Sequence, residues 1–107
     1  MAEPVILVLT TLPDVPSAER MAAALVEKKL AACVNIHGSM TSVYSWKGKL
    51  ERGEEHQLVI KTTEARYSAV ETFIAKQHPY ELPEILVLAV QDGLPGYLEW
   101  VNSCIEQ

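Results

Sequence analysis

Three histidines, His37, His56 and His78, and two cysteines, Cys33 and Cys104, are the side chains best suited to hold a metal ion or attack a carbonyl. Their spacing serves neither task locally. The chain has no H-x₃-H, no C-x-x-C and no EF-hand loop, so a metal site has to be assembled from distant segments or several subunits. His78 is the strongest candidate ligand. It stands at an expected helix end before Pro79, an ordinarily exposed place, with Tyr80, Glu81 and Glu84 close in sequence. Its competing role is a bond to the last carbonyls of its own helix. His56 is expected as a solvated strand residue and His37 as a loop residue. Cys33 opens an apolar strand and Cys104 lies on an apolar helix face, so both are expected as buried small hydrophobes rather than nucleophiles. No G-x-S-x-G, Walker loop or G-x-G-x-x-G is present, and nothing else marks an enzyme.

The run His78-Pro79-Tyr80-Glu81-Leu82-Pro83-Glu84-Ile85 is more specific. Its two prolines stiffen a helix-to-strand link and pin the side chains of Tyr80, Glu81 and Glu84, and rigid polar loops build pockets. The plainer alternative is a purely structural crossover. Lys61 lies near a strand end on the face that carries Val59, where it must snorkel or meet a carboxylate such as Glu84 or Glu81. Tyr44 and Trp46, toward a hairpin tip, are too large to stay wet without a reason and are expected at a subunit interface. Lys61, Tyr80, Trp46 and Glu84 together would suit a second class of function, a signalling module holding a small anionic ligand between subunits.

The elements that must position these residues follow from hydrophobic period. Pro4 to Thr10 reads as a buried strand, broken by Thr11-Leu12-Pro13-Asp14. Asp14 or Ser17 can cap a helix whose buried stripe is Ala18, Met21, Ala22 and Leu25, with Lys28 and Lys29 at its negative end. Ala32 to Ile36 and Met40 to Trp46 read as strands, Lys47-Gly48-Lys49 as a turn, and Glu54 to Thr62 as the returning arm of a long hairpin. Thr63 can cap a second helix with Tyr67, Val70, Phe73 and Ile74 inward, ending near His78. Glu84 to Val90 reads as a fourth buried strand. Tyr97, Trp100, Val101, Cys104 and Ile105 mark a closing helix. The order β-α-β-β-α-β followed by a helix is that of a ferredoxin-like α+β fold, an antiparallel sheet with both long helices on one face. Its other face needs a cover, from the hairpin, the last helix or a second copy.

Composition sets the outer bounds. At 107 residues and 49% hydrophobic, residues 1–107 are expected to form a single domain. A net charge of −5 with scattered basic residues argues against nucleic acid as a partner. No apolar run approaches the roughly 20 residues that span a bilayer, and Met1-Ala2-Glu3-Pro4 lacks the basic start of a signal peptide. Two cysteines without metal spacing fit reduced thiols in a cytoplasm.

Ala31-Ala32-Cys33-Val34-Asn35, Tyr44-Ser45-Trp46-Lys47-Gly48-Lys49, Ile60-Lys61-Thr62-Thr63 and the run from His78 to Ile85 jointly resemble the CutA family of divalent-cation tolerance proteins. Thr11-Leu12-Pro13-Asp14 and Tyr97-Leu98-Glu99-Trp100 strengthen the resemblance, which covers nearly the whole chain in family order. It implies a fold similar to the PII signalling proteins, a homotrimer with hairpins reaching across to neighbours, and non-enzymatic handling of copper or another divalent cation in the cytoplasm. A copper site proposed for the family uses a Cys at the end of the first strand and two adjacent His before Pro-Tyr. Here those positions hold Thr10 and the pair Gln77-His78, so the resemblance carries over only His78, with Glu81 and Glu84 as neighbouring carboxylates. Loss of the soft thiolate weakens the case for copper(I).

Overall fold

The computed structural model describes residues 2–106. Strand β1 (Val5–Leu12) leads into helix α1 (Val15–Glu27), and a long hairpin follows, formed by β2 (Cys33–Trp46) and β3 (Lys49–Thr63). A 3₁₀ turn (Glu64–Arg66) opens helix α2 (Tyr67–Gln77), followed by β4 (Leu86–Ala89) and helix α3 (Pro95–Ile105). The strands form one antiparallel sheet in the order β2-β3-β1-β4, the ferredoxin-like arrangement expected from the element order.

Alternation along the strands divides the sheet into two faces. Ile6, Val8 and Leu12 of β1 with Leu58 and Ile60 of β3 point toward α1 and α2, where they pack on Ala18, Met21, Ala22, Leu25, Val70 and Ile74. The expected inner stripe of α1 is buried in full, and Asp14 caps the helix by accepting from Ser17 N at 2.8 Å. The second face is covered at one end, where Val5, Ala32 and Val101 form a smaller cluster under α3. Leu7, Leu9 and Val59 remain half-buried there, and Leu86 and Leu88 are exposed.

Several local expectations are corrected. β1 does not break at Thr11 but runs on to Leu12, because Thr11 and Leu12 continue to pair with Gln57 and His56. The two segments expected around Gly38-Ser39 are one strand. The register steps from His37↔Gln57 to Met40↔Glu55, so two residues of β2 oppose one of β3 in a bulge that lets the hairpin continue. The returning arm starts at Lys49 rather than Glu54. β4 is shorter than expected and exposed rather than buried: it is a sheet edge paired with β1 alone, and Leu86 retains 55% of its accessible surface. Thr63 makes no side-chain capping bond. Lys28 is the C-cap of α1, and Lys29 lies beyond the helix with φ of 58°. Cys33 and Cys104 are half-buried rather than fully buried, since Cys33 sits opposite Lys61 near the edge of the second face.

The molecule measures 48 × 26 × 23 Å with a radius of gyration of 14.5 Å. A compact chain of this length would have a radius near ~13 Å. The excess fits a hairpin whose strands, at about 3.3 Å per residue, outrun the body of the sheet. Val43, Tyr44, Trp46 and Leu50 of this hairpin are exposed.

Candidate functional site

The link from α2 to β4 bonds His78 and Tyr80 to the rest of the chain, while Glu81 and Glu84 are exposed, and His78 is the pin. Its backbone leaves the helix with ψ of 138° while its N–H still donates to Ile74 O at 2.9 Å. The ring turns inward instead of facing solvent as expected, and His78 is buried. Tyr80 N–H donates to Nδ1 at 3.1 Å, so Nδ1 carries the lone pair and Nε2 carries the proton. Nε2 then donates to Thr11 O of β1 at 2.7 Å. The ring therefore ties the link to the first strand, not to the carbonyls of its own helix. Tyr80 stacks at a tilt against it, with ring centroids 4.7 Å apart.

From there Tyr80 reaches the hairpin. Its hydroxyl donates to Glu55 Oε2 at 2.9 Å, and Thr11 Oγ1 donates to the same oxygen at 3.1 Å. Burial, and then the Glu55 carboxylate, hold the Tyr80 phenol well above the ordinary tyrosine range. Thr11, Glu55 and Tyr80 thus join β1, β3 and the link at the base of the hairpin. A cleft of about 720 Å³ opens beside them. Glu81, Glu84, Tyr44 and Trp46 line it, with Ser42, Val43, Pro79 and Leu82 completing the wall.

The structure thus brings Trp46, Tyr44, Tyr80, Glu81 and Glu84 to one cleft. Lys61 is not part of it. Lys61 pairs with Leu7 and Cys33 toward the other end of β3, and its Nζ lies 5.6 Å from the centre of the Tyr97 ring on α3. The carboxylate expected for Lys61 is replaced by an aromatic face. A cleft lined, among the described residues, by three glutamates and no basic residue opposes the small anion that Lys61 was expected to attract. Sequence reasoning passed over Thr11 and Glu55. The period-two alternation that puts Gln57 and Val59 on one face puts Glu55 there too, but the β1–β3 register that brings Thr11 to it is not visible in a single sequence.

Both nitrogens of His78 are engaged within the chain, so a metal ion would have to displace one of its bonds. Among the described residues, no group of three or more His, Cys, Asp or Glu is placed to hold a metal ion. At the other carried-over positions, Thr10 is buried on the helix-covered face with Oγ1 unpaired among the described residues, and Gln77 is exposed at the last turn of α2. The donors among the described residues of one chain do not by themselves fit a metal centre.

A four-stranded ferredoxin-like sheet with an overlong β2–β3 hairpin and a proline-stiffened acidic cleft at its root defines the class of protein. The profile of the CutA1 divalent ion tolerance protein family matches residues 6–104. The divalent-cation tolerance protein CutA of Yersinia pestis (strain Pestoides F) is 46% identical over 100 residues, covering 94% of this chain and 84% of the relative. The crystal structure of CutA from Xylella fastidiosa superposes with a TM-score of 0.94 at 44% identity, covering 96% of this chain and 99% of that one. CutA1 from Oryza sativa gives a TM-score of 0.95 at 36% identity over 99% of this chain and 97% of that one. The chain belongs to the CutA1 divalent ion tolerance family. No helix of the described residues is long and apolar enough to cross a membrane.

Proposed function

We propose that residues 1–107 act as one domain in a cytoplasmic, non-enzymatic homotrimer that binds divalent cations, copper among them, with ligands pooled between subunits. Family membership supports the cation, and the observation that carries the pooled site is the state of His78. Its ring is occupied inside the chain, while Glu81 and Glu84, close to it in sequence, are exposed and offer carboxylate oxygens. One chain offers too few free donors, and copies meeting at the cleft would supply the rest. The exposed edge strand β4 and the exposed hairpin residues Tyr44 and Trp46 are the surfaces through which copies would meet.

Calorimetric titration of chelator-treated protein with copper(II) tests this. Saturable binding is expected, weakened at least about tenfold by His78→Ala and by Glu81→Gln paired with Glu84→Gln. His78→Ala also strands Tyr80 N–H and Thr11 O, so its folded state is verified first by circular dichroism. Unchanged affinity in a folded His78→Ala protein removes the histidine from the site, and unchanged affinity in the double glutamine variant removes the carboxylates.

A further inference from the structure

The cleft at the hairpin root carries chemistry that a metal ion would leave unused. Among the described residues its ionisable lining consists of Glu55, Glu81, Glu84 and the phenols of Tyr44 and Tyr80, without a lysine, arginine or histidine. Trp46 adds a third aromatic ring to the wall. Inorganic divalent cations draw on oxygen donors and gain little from ring faces. An organic ammonium ion draws on both, its charge attracted by carboxylates and by the negative face of an aromatic ring, its carbon shell sheltered by the same rings. The chain already shows this pairing outside the cleft lining, where Lys47 Nζ lies 5.6 Å from the centre of the Trp46 ring.

Glu55 is poised for such a guest. Thr11 and Tyr80 fix its carboxylate by bonding to Oε2, and among the described residues no hydrogen bond occupies Oε1. The phenol that holds it keeps its proton, because burial and the carboxylate both oppose ionisation. The volume, about 720 Å³, falls in the range of roughly 300–1,000 Å³ typical of small-molecule clefts. We propose that this cleft binds an organic ammonium ion, a primary or methylated amine of a few carbons, with Glu55 as the anionic anchor and Trp46, Tyr44 and Tyr80 as the aromatic wall. The inference goes beyond cation tolerance and shares with the metal proposal Glu81 and Glu84 as carboxylates and Tyr44 and Trp46 as residues near the meeting of copies. In a trimer the hairpin wall would border a neighbouring copy, which would narrow the mouth.

The chain has two tryptophans, so Trp100→Phe leaves Trp46 as the only indole and makes its fluorescence a report on the cleft. The full-length variant is titrated with n-butylammonium chloride at constant ionic strength with EDTA present, beside n-butanol and sodium butyrate. The expected result is a saturable change with the ammonium alone, weakened at least about fivefold by Glu55→Gln. No saturation, an equal response to butanol or butyrate, or unchanged affinity in Glu55→Gln would overturn the proposal. If Glu55→Gln does not fold, Trp46→Leu read by calorimetry decides at the same threshold. Because EDTA removes metal here and the copper titration contains no amine, either proposal can fail while the other stands.

Discussion

Tyr80 keeps its proton because its hydroxyl is partly buried and donates to Glu55 at 2.9 Å. Ionisation would bring a phenolate against a carboxylate. The folded-state pKa is raised above the unfolded one, so this residue's contribution to stability is complete below about pH 10 and is lost as pH rises through the folded value. Tyr80 is therefore expected to ionise after Tyr67, whose bond to Glu71 at 2.8 Å raises it for a related reason. In an alkaline titration followed by phenolate absorbance, Tyr80→Phe should delete a step later than that of Tyr67 and soften alkaline unfolding. A curve that Tyr80→Phe leaves unchanged beyond the Tyr67 step would mean that the Tyr80–Glu55 bond does not persist in solution. At the acid end, Asp14 has the opposite sign. Its bonds from Ser17 lower its pKa, so the cap stabilises above the ordinary carboxylate range and fails as pH falls through the lowered value.

At the scale of elements, two left-handed residues make contrasting predictions. Helix α1 ends in a Schellman motif, with Leu30 N donating to Leu25 O and Lys29 N to Val26 O, which puts Lys29 where glycine is favoured. The hairpin turn has positive φ at both Lys47 and Gly48, as a type I′ turn requires. Lys29→Gly should stabilise by about 0.5–1 kcal/mol, and Gly48→Ala, which meets no atom within 4 Å, should destabilise by about 1 kcal/mol through backbone strain alone. Denaturant midpoints at one protein concentration check both, and an unchanged midpoint for either contradicts the strain argument. These elements also show what was legible beforehand. The buried stripe of α1 and the end of α2 were readable because periodicity and Pro79 are local signals. The link from His78 to Glu84 was readable as a pocket builder for the same reason. What stayed hidden was long-range: the bulge opposite His56, the register that sets Thr11 opposite Gln57 and so within diagonal reach of Glu55, the inward turn of His78, and the edge position that leaves β4 exposed although its sequence is as apolar as a central strand.

At the scale of the whole molecule, the surface left by one chain is unfinished. Leu86, Val87 and Leu88 form an exposed apolar edge, and natural edges are ordinarily short, charged or covered. The hairpin extends Val43, Tyr44, Trp46 and Leu50 into solvent with too little of the chain around them to shelter them. If association finishes these surfaces, folding and assembly are linked, and apparent stability follows protein concentration by mass action. A trimer would scatter as about 36 kDa, three times the 11.9 kDa chain, and its thermal midpoint would rise with concentration. Leu88→Lys places a charge on the open edge, on the face shared with Leu7, and should shift the particle toward the single-chain mass while lowering the midpoint and flattening its concentration dependence. A native particle of single-chain mass at micromolar concentration, with a midpoint indifferent to dilution, would remove the assembly. The metal proposal would fall with it, since it needs donors from more than one copy. The Glu55 cleft, built entirely from one chain, would keep its walls.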